Sequence, residues 1–182
     1  MNQTTGGTGF GVTQIVVLLV PVVAGCFLLA GYLLNQIWAR NERRAKAFAE
    51  ALAAVENYLE MPYRVRRRPA SDPETRATLT NQMSDIKAQI AFHQAWLQVE
   101  APHVAEAYDD LVRAAQEEGG AEMQHAWQEP VRDTDAAMNL GVAYDRSKSD
   151  TARARTLDRM QAEISFLRWP SRRDALRKQS ES

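Results

Sequence analysis

Between Val12 and Leu34 the chain runs for 23 residues, VTQIVVLLVPVVAGCFLLAGYLL, without one charged side chain. As an α-helix rising 1.5 Å per residue, such a run is about 34 Å long, enough to cross a hydrocarbon core of about 30 Å. Lipid offers no hydrogen bonds to an open backbone, so the expectation is a single transmembrane helix over 12–38. Pro21 removes one helical hydrogen bond and predicts a kink near Val17. Tyr32 and Trp38 stand where amphipathic rings favour the headgroup layer, and Arg40, Arg43, Arg44 and Lys46 follow as a basic membrane interface. No charged side chain precedes Arg40. The positive-inside rule therefore places the uncharged, Gly/Thr-rich residues 1–11 outside, as a disordered tail, and the remainder in the cytoplasm.

Two other readings of the run fit less well. A cleavable signal peptide has a basic leader and a shorter apolar core. A bacterial lipoprotein signal is suggested by Val23-Ala24-Gly25-Cys26, which matches the lipobox pattern. Acylation at Cys26 after cleavage would reverse the topology. The leader again lacks Lys and Arg, however, and Phe27 to Leu34 continues the apolar run past the point where a mature lipoprotein turns polar. Cys26 then reads as a small apolar residue of the helix.

Because Cys26 is the one cysteine, the rest of the chain has no internal disulfide and no thiolate metal site. Arg outnumbers Lys by 18 to 4, a bias expected of a GC-rich bacterial or phage genome. Beyond the anchor the pattern is helical throughout, with no period-two strand, so the fold class is all-α: a helical hairpin or bundle with coiled-coil-like seams. Residues 39–61 form a juxtamembrane helix in which Ala45, Phe48, Leu52, Val55 and Leu59 make a narrow apolar stripe. Three prolines and the run Arg64-Val65-Arg66-Arg67-Arg68 make 62–73 a basic loop. Ser71 or Asp72, Pro73 and Glu74 predict a capped helix start.

The next helix, 74–100, carries Leu79, Met83, Ile86, Ile90, His93 and Leu97 in heptad spacing. Phe92, Trp96 and Val99 widen the stripe, which predicts that the distal half is enclosed by more than one neighbour. Pro102 breaks or kinks the chain before a helix of Val104, Tyr108, Leu111, Val112 and Ala115 that Gly119-Gly120 is expected to stop. Met123 and Trp127 predict a short helix or turn before Pro130, and Ala136, Ala137, Leu140 and Tyr144 a weak helix. Ser149 or Asp150 caps a last helix with Leu157, Met160, Ile164 and Leu167, ended by Trp169-Pro170. An acidic helical domain thus covers 74–169, with a basic last helix, and 170–182 is a basic disordered tail.

Charge is laid out in blocks, +4 over 40–68, −9 over 71–150 and +4 over 151–182, although the net value is −1. Arg64, Arg66, Arg67 and Arg68 are the candidate partner-binding residues: the basic loop and basic last helix face either the acidic middle of the same chain or, as a docking surface, an acidic or a basic partner protein. A straight helix from Asn35 to Glu60 would lift them about 40 Å off the bilayer, several Debye lengths away. Nucleic acid is a poorer partner, because the run is short, lacks interleaved aromatics and adjoins an acidic domain.

One constellation is compatible with metal chemistry. Glu100 with His103, and Glu122 with His125, are both Glu-x-x-His pairs, the ligand spacing of di-iron carboxylate bundles. Pro102 interrupts the first pair and Gly119-Gly120 lies between the two, so the expectation is no metal and no cofactor. P-loop, G-x-G-x-x-G, G-x-S-x-G and H-E-x-x-H patterns are absent. The sequence thus predicts a non-catalytic, single-pass membrane protein that acts by protein–protein interaction, with another protein or with itself, as an anchor, scaffold or assembly factor. The alternatives are an oligomerising holin or pore regulator and a metal-dependent helical enzyme.

Overall fold

The computed structural model of the protein describes residues 12–138, 141 and 143–165, with side chains from Gly25 onward apart from Cys26. Expectations for residues 1–11, Cys26, Leu140, Leu167, Trp169 and 170–182 lie outside the described residues. The protein is all-helical: α1 spans Val12–Arg66, α2 Pro73–Glu100, α3 Pro102–Gln128 and α4 Ser147–Ile164, with a 3-10 turn at Asp135–Met138. The chain divides into two compact units, one up to Arg43 and one from Arg44 onward.

In the first unit α1 is helical from Val12. Phe27, Leu28, Leu29, Tyr32, Leu33, Leu34 and Trp38 are all exposed. Successive helical positions differ by 100°, so these side chains point to every side of the helix rather than to one face. Among the described residues, no helix is long and apolar enough to cross a membrane. The side chains of 12–24, which make up most of the uncharged run, lie outside that set.

The second unit is an up-down-up-down bundle. α1 and α2 are antiparallel, since Phe48 meets Trp96 edge to face with centroids 5.9 Å apart, and Arg44 donates to the Glu100 carbonyl at 2.6 Å. α3 runs parallel to α1: the Tyr108 hydroxyl donates to Ala51 O at 3.0 Å near one end, and Arg66 pairs with Glu129 at 2.7 Å near the other. α4 returns antiparallel, with Ser149 beside Glu118, Thr156 beside the Ala107 carbonyl and Glu163 beside Arg44.

The helix boundaries show which local signals prevailed. Asp72 caps α2, accepting from the Thr75 N–H at 2.8 Å. That bond holds its carboxyl below the usual carboxylate range. The α2–α3 corner is one residue, Ala101, fully buried, with Pro102 opening α3. α1, by contrast, continues through Pro62 to Arg66 and removes the first half of the expected loop at 62–73. Met61, Pro62 and Val65 are buried there, and their burial outweighs the one hydrogen bond a proline forfeits.

Gly119 and Gly120 do not stop α3 either, and the reason lies in packing. A Cβ on Gly119 would lie 3.2 Å from Tyr58 Cε1 and 3.4 Å from Leu59 Cδ2. Gly119 is therefore the gap through which α3 approaches the buried Tyr58 ring. At Gly120 the nearest atom to such a Cβ is the Tyr58 hydroxyl at 3.6 Å, an ordinary contact. Substitution at the two neighbours is expected to have opposite signs in urea unfolding. Gly120→Ala gains helix propensity, up to about 1 kcal/mol, whereas Gly119→Val overpacks the α1–α3 contact and loses about 1–3 kcal/mol.

The apolar stripes are redistributed relative to the sequence pattern. α1 is broad: Phe48, Ala51, Ala54, Val55, Tyr58 and Leu59 are all buried, whereas Ala45 is exposed and Leu52 half-buried. α2 is the narrow seam, with Ile86, Ile90, His93 and Leu97 buried, and Phe92 and Val99 stand outside it. α1 contacts α2, α3 and α4 in turn, and so needs more than one apolar face. Among the described residues of the expected weak helix near 133–144, Asp135–Met138 form the 3-10 turn, and Gly141 has φ +70, a conformation glycine adopts without strain.

Candidate functional site

The basic run is divided between roles. Arg64 points outward. Arg67 lies over the Tyr63 ring, 5.8 Å from its centroid, and 3.4 Å from Glu60. Arg66 turns inward to pair with Glu122 and Glu129. Arg132 joins Glu129 from the other side at 3.1 Å. Partial burial raises the Glu129 pKa, but the two guanidinium groups outweigh it and hold the carboxyl below its ordinary range.

Arg68 is buried completely inside the fold, at 4% exposure. Its guanidinium donates to Val65 O and Ala126 O, both at 2.9 Å, to Trp127 O at 3.4 Å and to Glu129 O at 2.5 Å. The Trp127 ring lies 5.3 Å away. Two of the four arginines expected to meet a partner, Arg66 and Arg68, are thus spent within the chain. Arg64 and Arg67 remain outward.

The same internal matching recurs along the bundle. Arg146 and Arg153 both reach Glu56, at 2.7 and 3.3 Å. Lys148 pairs with Glu117. Glu118 of α3 caps α4, accepting from Lys148 N at 2.9 Å, Ser149 N at 3.0 Å and Ser149 Oγ at 2.5 Å. A carboxylate at the positive end of the α4 dipole is favoured electrostatically. It displaces the expected caps: Ser149 and Asp150 lie inside α4, the Lys148 and Ser149 N–H groups are held from another helix, and Asp145 Oδ1 accepts the Ser147 N–H at 3.0 Å. The sequence offered no local signal for that, since the two partners are 31 positions apart.

The two Glu-x-x-His pairs do not converge. His103 and His125 are exposed near opposite ends of α3, about 33 Å apart along its axis. Glu122 is engaged by Arg66, and Glu100 lies 3.8 Å from Arg44. No group of three metal-ligating side chains occurs among the described residues. An open groove between α3 and α4, lined by Asp110, Arg113, Glu117, Lys148 and Arg155, mixes both signs.

His93 is the buried histidine of the α2 seam, and its Nδ1 has no hydrogen-bond partner among the described residues. Burial pushes its pKa below the ordinary value, against an opposing pull from Glu50. The folded state therefore keeps His93 neutral while the unfolded chain takes up a proton near pH 6.5. Stability is full above that pH and declines as pH falls through the unfolded value toward the lower folded one. His93→Leu is expected to flatten this decline and to add on the order of 1 kcal/mol at neutral pH by removing an unpaired buried nitrogen. Urea unfolding between pH 7 and 5 measures both effects.

The residues expected at a membrane interface fall into two sets. Tyr32, Trp38, Arg40, Arg43 and Lys46 are exposed, with Tyr32 bonded to Gln36 at 3.0 Å and Arg43 to the Ala39 carbonyl at 3.1 Å. Arg44 turns into the bundle and ties the ends of α2 and α4 together through Glu100 O and Glu163.

Among its charged and polar surface residues the bundle also holds large apolar side chains outward. Phe92 is 64% and Val99 79% exposed. With the half-buried Trp96 between them, their i, i+4, i+7 spacing aligns them along one side of α2. This stripe is the leading candidate contact surface of the second unit. No protein-family model, curated protein or solved structure matches the chain.

Proposed function

We propose that the chain is a single-pass membrane protein, N-terminus outside and helical domain in the cytoplasm, that acts by protein–protein contact as an anchor or assembly factor. The observation that carries the reading is the all-round exposure of Phe27 to Leu34 and Trp38 on α1. A helix apolar on every side requires an apolar environment on every side. Together with the uncharged residues from Val12, the segment has the length of a membrane span. The asymmetry of charge, with nothing before Arg40 and a basic cluster after it, supports the orientation.

Support for a binding role comes from the α2 stripe. A large ring and a valine held outward on a rigid helix, at the spacing of a helix-in-groove anchor, suit a protein partner. The expected results are retention in the membrane pellet after alkaline carbonate extraction, and protection of the C-terminal domain from protease added to intact cells. Release by carbonate would sink the anchor. Digestion from outside would reverse the topology. A partner recovered with the wild-type chain and lost with Phe92→Glu would place binding on α2; equal recovery would place it elsewhere.

A further inference from the structure

From Ala88 to Val99 the chain reads AQIAFHQAWLQV, twelve residues without Asp, Glu, Lys or Arg. α2 therefore has an outer side that is apolar and uncharged along this stretch. We propose that this side of α2 pairs, antiparallel, with the same side of a second copy of the chain. The pairing rests on the reading of α2 as the contact surface and is independent of the anchor.

α2 carries two seams. Ile86, Ile90, His93 and Leu97 are buried and form the inner one. Ala88, Phe92, Ala95 and Val99 are all exposed and succeed one another at steps of four, three and four, the a and d spacing of a coiled coil. At 100° per residue the second set points about 160° away from the first, out of the bundle. Beside it stand Gln89 and Trp96 on one flank and Ala91 and Gln98 on the other, none of them charged.

Size decides the partner and its direction. The outer seam alternates small and large: Ala88, Phe92, Ala95, Val99. Two such seams packed parallel would set Phe92 on Phe92, leave Ala95 facing Ala95, and bring the exposed Asp85, one heptad before Phe92, against its own copy. Turning one copy round removes all three faults. With Phe92 opposite Ala95 of the second copy, the same two-fold axis puts Val99 opposite its Ala88, so each large side chain meets a small one. Asp85 then falls beyond the end of the second α2, which stops at Glu100. No like charges face across the contact. A helix of another protein would need small residues at both matched positions, whereas a second copy supplies them. The seam covers about two heptads, short of the roughly three or four that sustain a free-standing coiled coil, so the pair is weak and depends on concentration.

The test uses the full chain in mild detergent with Cys26→Ala, so that an introduced thiol is the only one. Ala88→Cys and Val99→Cys are made as separate proteins of different mass and oxidised alone and mixed. In the proposed register the two positions face each other, whereas each lies about 16 Å along the axis from its own copy, too far for a disulfide. The expected result is a linked species of mixed mass, several-fold above the self-linked species of either protein alone. Self-linked species equal to or above the mixed one overturn the proposal, as does the absence of any link. Adding Ala95→Phe, at an exposed position, should leave the urea midpoint unchanged and lower the mixed species about tenfold or more, because ring then meets ring. A merely sticky surface would gain from the extra ring, so an unchanged or increased yield overturns the register. Exchanging the pair, Phe92→Ala with Ala95→Phe, restores large against small and should restore the link; no recovery overturns the register as well. Absence of the link while a different protein is still captured through Phe92 overturns the self-pairing and leaves the α2 contact surface standing.

Discussion

Replacing Arg68 with alanine is expected to destabilise the helical domain by about 3 kcal/mol or more. The last carbonyls of any α-helix lack intrahelical donors. At the end of α3 those of Ala126 and Trp127, with that of Glu129 just beyond, are supplied by one guanidinium, which also bonds Val65 O at the end of α1. Arg68 closes the arrangement by accepting from Arg132 N at 3.2 Å. Removing the side chain strands several acceptors where little water reaches and empties the space against Trp127.

Arg68→Lys is not expected to rescue the loss. An ammonium is a compact point charge and lacks the planar fork that reaches carbonyls on two sides at once. Arg64→Ala, four residues earlier and exposed, should stay within about 0.5 kcal/mol of the parent. Urea unfolding of the three variants in one detergent measures the set. A loss under about 1 kcal/mol for Arg68→Ala would mean that water replaces the guanidinium. The role of Arg68 would then be electrostatic rather than structural.

The basic run illustrates what a sequence conveys and what it withholds. Composition identifies a cluster of cations next to an acidic stretch, and several of the resulting pairs form inside the chain, as with Arg66 and Glu122. Which arginine turns inward depends on helical phase and on α1 continuing past Pro62, neither of which follows from charge. Signals carried by adjacent residues were readable: Asp72-Pro73-Glu74 at the start of α2, the heptad of Ile86, Ile90, His93 and Leu97, and the break at Pro102. Signals whose meaning depends on a distant partner were not. Gly119 reads as a stop until the Tyr58 ring is seen 3.2 Å from where its Cβ would lie. Ser149 reads as a cap until Glu118 takes that part.

Small residues account for another part of what was not readable. Ala51 and Ala54 widen the buried face of α1, and Ser149, Ala152 and Thr156 form most of the buried face of α4. A search for large apolar residues at steps of three and four passes over such positions, because close helix approach selects for size rather than hydrophobicity. The same search enrolled Phe92 and Val99 in a core they do not enter. The metal candidates were separated by helix continuity: once α3 runs unbroken through Gly119 and Gly120, His103 and His125 are held about 33 Å apart.

The two sides of α2 provide the second large prediction, because they should separate stability from binding. Leu97 is fully buried and belongs to the same cluster as Ala101 and Val104. Leu97→Ala is expected to cost about 3 kcal/mol, within the 2–5 kcal/mol range of buried leucines. The upper part of that range applies if the site cannot collapse, and two features next to Leu97 resist collapse. Its carbonyl accepts the Ala101 N–H at 2.9 Å, and Ala101 is itself fully buried at a corner one residue long. Phe92→Ala and Val99→Ala, on the outward side of the same helix, remove comparable apolar volume from exposed positions. They should change stability by less than about 0.5 kcal/mol while weakening any contact made through the stripe. Unfolding and partner recovery measured on the same three proteins give the comparison. If Phe92→Ala destabilises as much as Leu97→Ala, the outward side of α2 is covered in the folded protein and belongs to its core rather than to a binding surface.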